Sequence, residues 1–404
     1  MGDKGAAFDE RRLARLGKAM QWHVDEGGVP GIVAGLCRDG ETHVVAVGRT
    51  TLGGADPIRR DAIFRIASVT KPIVAAAAMT LVEECRIRLD DPVDPWLPEL
   101  SDRRVLRTPE SPLDDTVPAN RPITLRDLLA LSAGYGIVMV WPPQHPIQEA
   151  MAAAGLGPDF AQPEMTADVL LARYGSLPLA HQPGEGWLYN NGYDLLGVLL
   201  ARATGRSLEA VLRERVLGPL GMDDTGFSVP SASVGRLPGC YGLPDESGAR
   251  GLFDEPGAAS RYARPPRFES GASGLVSTVD DLLAFGRMIL GQGRGGGGRV
   301  LSRASVTLMT TDQVSPAQKA DWPFVPGFWE RRGWGFGGSV VTRRDDLDGS
   351  PGRFGWDGGY GTSWYIDPAE RLVGVLMTQQ LMASPLATPV ARDFWTSAYQ
   401  ALGD

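Results

Sequence analysis

The sequence has few cysteines. Cys37, Cys85 and Cys240 are odd in number and far apart, and none has a second cysteine or a histidine at metal-ligand spacing. This pattern argues against a disulfide framework and against a zinc site, and no motif indicates a cofactor-binding site. We therefore expect free thiols in a reducing compartment, the cytoplasm, with no metal and no cofactor.

Long apolar runs and dense basic clusters are absent too. No run approaches the length of a membrane-spanning helix, and the N-terminus shows no apolar core followed by a small-residue cleavage site. The formal net charge of -8 argues against a nucleic-acid-binding surface. We expect a soluble globular protein with no membrane or nucleic-acid partner, whose 404 residues can hold one large domain with an insertion or two domains.

Lysine is scarce. Only four of the 40 basic residues are lysines. Arginine cannot lose its proton in a protein, whereas a lysine among apolar groups can be neutral and act as a base. A lysine that stands in a special position therefore merits a chemical explanation.

Lys71 stands in such a position, three residues after Ser68. An almost wholly apolar, alanine-rich run over 73–82 follows, and Pro72 suits the first turn of a helix. On that helix Ser68 and Lys71 lie one turn apart on one face, so the amine can take the hydroxyl proton. A helix that is apolar all round belongs in the middle of a domain. The alternative interpretation is a lysine at a helix start paired with a carboxylate.

Strand patterns occupy the two ends of the chain, and helical patterns lie between them. We predict strands over 31–37, 43–47, 339–341, 362–366 and 372–378. We predict helices over 8–26, 123–131, 166–174, 193–203, 278–290 and 387–401, and a long functional loop over 230–270. The expected fold is α+β, with one antiparallel sheet built from both termini and flanked by helices. Residues 1–88 and 222–404 would form the sheet domain and 89–221 a mainly helical domain, with the active site at their interface.

Two further stretches could carry chemistry. Tyr189 and Asn191 lie just before an apolar helix, where a phenol near a cation gains phenolate character and passes protons. The simpler interpretation is a packing tyrosine with Asn191 as a helix N-cap. Residues 354–361 are rich in glycine, so a backbone N–H there could approach and polarise a carbonyl oxygen. The simpler interpretation of this second stretch is a β-bulge or turn.

Together the three motifs resemble, in type and order, those of the serine β-lactamase and penicillin-binding-protein-like family, and most of all its family VIII carboxylesterases and class C β-lactamases. The motifs read Ser68-Val-Thr-Lys71, Tyr189-Asn-Asn191 and Trp356-Asp-Gly358. Other segments are similar to the family as well, so that the resemblance covers residues 30–379; these are Leu89-Asp-Asp-Pro-Val, Ile123-Thr-Leu-Arg-Asp-Leu-Leu, Leu217-Gly-Pro-Leu-Gly-Met and Ser273-Gly-Leu-Val-Ser-Thr.

The resemblance implies a role for each matched residue. Ser68 would be the acylated nucleophile, Lys71 its activating base, and Tyr189 the group that relays protons to and from the leaving group. The N–H groups of Ser68 and Gly359 would form the oxyanion hole. Asn191 would orient the substrate or Lys71.

One departure from the family bears on the substrate. β-Lactamases of this family usually carry a lysine where this chain has Trp356, and an indole cannot pair with a β-lactam carboxylate but can line an apolar pocket. This pattern resembles the family VIII esterases, which implies a carboxylesterase for small-molecule esters with small to medium acyl chains. Expected substrate contacts come from Trp356, Gly358, Tyr360, Trp187, Trp334 and Trp141.

Other functions use the same residues. A β-lactamase, a D-amino-acid amidase or peptidase, and an acyltransferase share this chemistry, and a non-catalytic relative would keep the pocket without releasing the acyl group. A Ser-His-Asp hydrolase is disfavoured because the chain has no Gly-x-Ser-x-Gly elbow and only His181 lies near a motif.

Overall fold

The computed structural model describes residues 6–140, 142–161, 163–246, 248–321, 324–344 and 346–403. Fifteen strands were found in these residues: β1 Gly31–Arg38, β2 Glu41–Gly48, β3 Phe64–Arg65, β4 Arg104–Leu106, β5 Thr116–Pro118, β6 Cys240–Pro244, β7 Arg250–Asp254, β8 Val276–Ser277, β9 Arg294–Gly295, β10 Gly298–Arg299, β11 Arg332–Trp334, β12 Ser339–Val341, β13 Phe354–Gly358, β14 Thr362–Asp367 and β15 Leu372–Thr378.

The described helices surround these strands. They are α1 Glu10–Asp25, α2 Thr70–Glu83, α3 Leu125–Ala130, α4 Pro146–Ala153, α5 Ala167–Ser176, α6 Gly192–Thr204, α7 Leu208–Leu212, α8 Gly218–Leu220, α9 Val279–Leu290, α10 Arg303–Met309, α11 Pro316–Asp321, α12 Phe328–Arg331 and α13 Pro389–Gln400. A short 3-10 helix, Ala67–Val69, leads into α2, and a π-helical turn, Arg213–Leu217, joins α7 to α8.

The main sheet unites the two ends of the chain. Its seven strands lie in the order β11-β12-β13-β14-β15-β1-β2, and every neighbouring pair is antiparallel. Strand β1 pairs with β2 on one side and with β15 on the other, so that Ile32 lies opposite both Val47 and Thr378. The predicted α+β fold, with one antiparallel sheet from both termini, is confirmed.

Both faces of this sheet are covered by helices. On one face α9 packs so closely on β1 that a Cβ at Gly35 would lie 2.6 Å from a Val279 methyl group, which is why glycine stands there. On the other face α1 and α13 cover an apolar layer that includes Tyr365 and Trp395. Burial on both faces accounts for the nearly unbroken apolar sequence of β1 and β15.

Helix α2 runs through the middle of the molecule. Every residue from Thr70 to Leu81 is buried, and the alanines at 75–78 have no exposed surface. Because alanine side chains are small, α6 and α7 pack close to α2. The prediction of a central helix that begins beside Ser68 is confirmed.

One stretch differs from the expected loop. Within residues 230–270, β6 and β7 pair as an irregular antiparallel hairpin, and the register shifts twice along it. Glycine and charged residues dilute the strand pattern there, so the alternation of apolar residues is weak. The boundaries of the two predicted domains stay a prediction. Among the described residues, no helix combines the length and the apolar character needed to cross a bilayer.

Candidate active site

Ser68 lies where the sheet meets the central helix. It sits in the 3-10 turn that precedes α2, half-buried, and the preceding Ala67 has a φ of 42°, in the left-handed region that residues with a Cβ disfavour. Strand β13 passes beside this turn, and a Cβ at Gly358 would lie 2.2 Å from the Ile66 carbonyl oxygen. Only glycine at position 358 therefore lets the third motif pack against the nucleophile turn.

Lys71 has three hydrogen-bond partners, and their chemistry sets its role. Its Nζ lies 2.9 Å from Ser68 Oγ, 2.8 Å from Asn190 Oδ1 and 2.8 Å from the Ala272 carbonyl oxygen. The last two atoms can only accept, so they take the two N–H groups of a neutral amine. The remaining lone pair then faces the Ser68 hydroxyl, which is the arrangement a general base needs.

Burial favours this neutral form. Lys71 has no exposed surface, and desolvation lowers the pKa of its amine from 10.5 to about 7, partly opposed by the charge of Asp194. The amine also lies 4.6 Å from the centre of the Tyr189 ring. At slightly alkaline pH most molecules therefore carry a neutral Lys71 that can accept the serine proton.

Tyr189 adjoins this amine and lines the same cavity as Ser68. Burial raises the pKa of the Tyr189 phenol above its ordinary value of 10.0, even though hydrogen bonding with Ser68 and Trp356 acts to lower it. Tyr189 is therefore a phenol at neutral pH, and the expected phenolate character is not supported. As a phenol it can donate to the serine oxygen and later to a leaving group.

Trp356 holds the phenol in place. Its indole Nε1 donates to the Tyr189 hydroxyl oxygen at 2.5 Å. Because an indole N–H can only donate, it must use the phenol oxygen as acceptor and so turns the phenol proton toward Ser68. Donors and acceptors then form one directed series, from Trp356 through Tyr189 and Ser68 to Lys71. The tryptophan thus positions the phenol in addition to lining the pocket.

The amide that contacts Lys71 is Asn190 and not Asn191. Asn190 has a φ of 85°, and this left-handed backbone, which asparagine tolerates, turns its side chain toward the amine. Asn191 is buried on the other side and donates to the Tyr174 hydroxyl and, at 3.4 Å, to the Leu156 carbonyl oxygen. The expected role of Asn191 in orienting Lys71 therefore belongs to its neighbour, and Asn191 holds the helices together.

A buried carboxylate lies behind Lys71. Asp194 Oδ1 accepts from Ser270 Oγ at 2.6 Å and from the Ala272 N–H at 3.1 Å, and the carbonyl oxygen of that same alanine accepts from Lys71. Burial raises the pKa of Asp194, although its hydrogen bonds and the nearby amine oppose the change. Asp194 thus fixes one acceptor of Lys71 and acts on its charge from a distance. No sequence motif pointed to it.

Two backbone N–H groups face the place where an oxyanion would form. Ser68 is in the first turn of its 3-10 helix, where N–H groups have no partner within the helix. Gly359 follows β13, and in the described residues its N–H donates to no protein acceptor, while its carbonyl accepts from the Met382 N–H at 2.9 Å. Both residues line the same cavity. The geometry thus accommodates the oxyanion hole that the resemblance implies.

The cavity above Ser68, which we name the catalytic pocket, has a volume of about 350 Å³. Its described walls are mainly apolar, with Ile137, Met139, Phe160, Phe324 and Met382 prominent among them. Two acidic residues, Asp159 and Asp357, also line it, and no described lysine, arginine or histidine does. The Asp357 carboxylate itself accepts from Ser363 Oγ at 2.5 Å and from the Tyr365 hydroxyl at 3.0 Å. The described residues hold no group of three metal-ligating side chains either.

The aromatic residues expected in the walls take different places. Tyr360 and Trp356 line the catalytic pocket, and the Tyr360 hydroxyl donates to the Phe160 carbonyl oxygen. Trp187 and Trp334 instead pack behind the pocket, in edge-to-face contact with each other at 5.4 Å. They are core residues that support Tyr189 and Trp356 from behind. Trp141 lies outside the described residues.

His181, the histidine that a Ser-His-Asp mechanism would need, does not belong to this site. His181 is buried, and its Nδ1 lies 2.8 Å from the Gln182 carbonyl oxygen. It is not among the residues that line the catalytic pocket. A Ser-His-Asp arrangement around Ser68 therefore has no support in the described residues.

Comparison with known proteins agrees with this geometry. A family model described as Beta-lactamase matches residues 15–389. Protein Rv1367c of Mycobacterium tuberculosis is 40% identical over 342 residues, covering 82% of this chain and 81% of that protein. Esterase EstB of Burkholderia gladioli is 31% identical over 391 residues, covering 92% of both chains. The solved structure of EstCE1, described as a hydrolase with promiscuous acyltransferase activity, has a TM-score of 0.79 and 26% identity, covering 96% of this chain and 99% of that one.

Proposed function

This chain belongs to the β-lactamase family, and we propose that it is a serine carboxylesterase that forms an acyl intermediate on Ser68. The observation that carries the proposal is the buried Lys71 amine 2.9 Å from Ser68 Oγ, beside a Tyr189 phenol that accepts from Trp356 Nε1. This arrangement opens on an apolar pocket of a size suited to a small molecule. The substrates would be neutral esters of small to medium acyl chains.

Acylation follows from the hydrogen bonds. The Lys71 lone pair takes the hydroxyl proton as Ser68 Oγ attacks the ester carbonyl carbon, and the N–H groups of Ser68 and Gly359 stabilise the oxyanion. When the carbon–oxygen bond to the alcohol breaks, Tyr189 donates its proton to the departing oxygen. The Lys71 ammonium then returns a proton to the phenolate, which leaves an acyl-enzyme and a free alcohol.

Deacylation uses the same groups with water in place of the alcohol. Lys71, neutral again, accepts a proton from the water as its oxygen attacks the acyl carbon, while Tyr189 stays a phenol. The bond to Ser68 Oγ then breaks, the serine regains its proton, and the carboxylic acid leaves. The pocket thus splits ester hydrolysis into two steps that share one base and one oxyanion site.

The charges of the catalytic pocket favour esters over β-lactams. Asp159 and Asp357 line it, and in the described part of the chain no cationic side chain does. A β-lactam antibiotic brings a carboxylate next to the scissile ring, and the described lining of the pocket holds no cation to pair with it. Trp356 also occupies the position at which the family's β-lactamases usually carry a lysine. We therefore rank the β-lactamase and the D-amino-acid amidase or peptidase below the esterase.

The test is a substrate panel with one nucleophile variant. We expect wild-type protein to hydrolyse p-nitrophenyl butyrate far faster than nitrocefin, and Ser68→Ala to lower ester turnover to the buffer rate and to abolish labelling by a fluorophosphonate. Ser231→Ala, at an exposed serine outside the catalytic pocket, is the matched control and should keep full activity. Ester turnover that persists in pure Ser68→Ala protein would refute the proposal.

Acyl transfer is the second candidate. EstCE1 is described as a hydrolase with promiscuous acyltransferase activity, and the apolar pocket could admit an alcohol in place of water. Added alcohols should then yield a new ester at the expense of the free acid, measured by mass spectrometry. A stable adduct without turnover would instead support a non-catalytic binding module.

The cysteines support a cytoplasmic location for this enzyme. Cys37, Cys85 and Cys240 are all free thiols, and Cys85 is exposed. An exposed free thiol persists in a reducing compartment and is prone to oxidation outside it.

A further inference from the structure

A second cavity adjoins the catalytic pocket. Its volume is about 410 Å³, and it lies between the C-terminal end of α1, the β6–β7 hairpin and the segment that joins β15 to α13. The proposed mechanism makes no use of it. We name it the side cavity, and its walls include Trp22, Val29, Leu243, Leu381 and Val390.

The wall between the two cavities is one segment thick. The Leu381 N–H donates to the Tyr241 carbonyl oxygen at 2.9 Å, and the Met382 N–H donates to the Gly359 carbonyl oxygen at 2.9 Å. Leu381 therefore lines the side cavity, while Met382, the next residue, lines the catalytic pocket. The segment is therefore held by Tyr241 of the hairpin on one side and by Gly359 on the other.

Beyond these bonds, two residues line both cavities. Leu243 of β6 and Ala383 of the joining segment both face the catalytic pocket and the side cavity. In the described residues, no backbone hydrogen bond joins the hairpin to the segment at these two positions. Leu243 and Ala383 are thus the places where only side chains separate the two cavities, and we infer that a narrow apolar chain passes between them.

The side cavity is suited to hydrocarbon. Trp22 is 55% exposed and Leu243 is 43% exposed. Both are large apolar residues, and exposure of their surface to water is unfavourable. The buried polar groups around it have partners: His23 Nε2 lies 2.8 Å from Asp393 Oδ2, and the Gln380 amide, with its oxygen toward the guanidinium, accepts from Arg250. Of the two charged residues in the wall, Arg250 is partnered by the Gln380 amide, and Glu26 is exposed to solvent.

We propose that the side cavity binds the far end of a long alkyl chain on the acyl group of the ester. This inference rests on the proposed acylation of Ser68 and extends its substrates from small and medium acyl chains to long ones. The acyl group stays attached to Ser68 after the alcohol leaves, and its chain would run along the apolar wall of the catalytic pocket and between Leu243 and Ala383. Each methylene group placed in the side cavity should strengthen binding about fourfold.

A tethered chain tests this path. Alkyl fluorophosphonates with ethyl, octyl, dodecyl and hexadecyl chains would be attached to Ser68, with mass spectrometry of the intact protein and of its peptides to locate the adduct. Because Trp22 lines only the side cavity, the difference in fluorescence between wild type and Trp22→Phe reports on that cavity. Trp22 is exposed, so its replacement should not disturb folding.

The outcomes separate the inference from the function on which it rests. We expect the dodecyl or hexadecyl adduct, and not the ethyl adduct, to shift the emission of Trp22 to shorter wavelength. An adduct on Ser68 that leaves this emission unchanged at every chain length would overturn the inference alone. Failure to form any adduct on Ser68 would overturn the proposed function and the inference with it.

Kinetics provide a second test that needs no probe. Leu243→Asp places a charge where the cavities meet, and Leu252→Asp places one on the partner strand of the same hairpin, at the same exposure of 43%, away from both cavities. We expect Leu243→Asp to lower kcat/KM for a p-nitrophenyl dodecanoate by about tenfold relative to the acetate. Leu252→Asp should leave the ratio unchanged. Equal ratios in both variants would contradict the inference.

Discussion

Two basic side chains that lie close to the nucleophile in sequence, Arg65 and Lys71, are both buried, but their surroundings stabilise opposite charge states. Arg65, on β3, donates to Asp254 Oδ2 at 2.6 Å, to the Pro238 carbonyl oxygen at 2.8 Å and to Ser260 Oγ at 3.1 Å. Lys71, one turn beyond Ser68, has only neutral partners. One cation is neutralised by a carboxylate and the other by loss of its proton.

The carboxylate makes the difference. Although burial acts to raise it, the Arg65 guanidinium and neighbouring hydrogen bonds hold the pKa of Asp254 below its ordinary value, so the pair stays ionised. The carboxylate nearest Lys71, on Asp194, acts through the Ala272 peptide and does not touch the amine. A buried cation becomes a base where its acceptors are neutral, and a structural ion where a carboxylate contacts it.

Exchanging the kind of cation at position 71 should have the largest effect. In Lys71→Arg the charge is kept but the base is lost, so we expect kcat/KM for an ester to fall by at least about a thousandfold. Lys319→Arg makes the same change outside the catalytic pocket and should keep activity. Retention of the wild-type acylation rate in Lys71→Arg would assign the base to Tyr189.

Removing the carboxylate at the other cation should act on stability instead. Asp254→Asn leaves the Arg65 guanidinium buried without its counter-ion, and we expect a loss of about 3 kcal/mol in the free energy of unfolding. Urea denaturation would measure it. Asp280→Asn breaks an exposed pair with Arg60 and should cost less than about 1 kcal/mol. Equal losses in both variants would contradict the comparison.

Removing the phenol should slow turnover without adding or removing charge. Tyr189→Phe deletes the proton donor of the leaving group and the acceptor of the Trp356 N–H, so we expect kcat to fall about a hundredfold. Tyr135→Phe removes another buried hydroxyl, which donates to the Tyr174 carbonyl oxygen, and serves as the control. An unchanged kcat in Tyr189→Phe, measured by stopped-flow with an activated ester, would remove the phenol from the mechanism.

The smallest expected effect is a displacement of the pH profile. Activity should rise with pH through about 7 as Lys71 loses its proton. The negative charge of Asp194 favours the ammonium form of Lys71, so Asp194→Asn should lower the pKa of Lys71. The rising limb of the pH–activity profile should then move to lower pH by roughly one unit. Asp281→Asn, at another buried carboxylate, should leave the limb in place. A limb that stays put or moves upward in Asp194→Asn would refute the role given to its charge.

Several features of the molecule could be predicted from local sequence. The spacing of Ser68 and Lys71 on a helix, the apolar character of α2 and the strands at both ends of the chain each depend on neighbours within a few residues. The sheet followed because strand patterns stand at both ends of the chain with helical patterns between them. The irregular β6–β7 hairpin was missed because its glycines and charged residues weaken the strand pattern.

The places of the side chains in the site could not be predicted in this way. Asn190 and Asn191 are neighbours of the same type, and only the left-handed backbone at the first decides which of them meets Lys71. Trp187 and Trp334 have the composition of pocket walls, yet the packing of distant segments puts them behind the pocket. A motif specifies residue types, whereas orientation depends on backbone angles and on packing partners.

The sequence by itself determined that a serine and a lysine would share one face of a buried helix, because helical spacing is a local property. Only the tertiary structure decided that this lysine is neutral. Its acceptors come from segments 119 and 201 residues away, and the carboxylate behind it is separated from the amine by a peptide group. A proton's affinity for a buried amine is set by desolvation and by the charges nearby, and both depend on parts of the chain that meet only after folding.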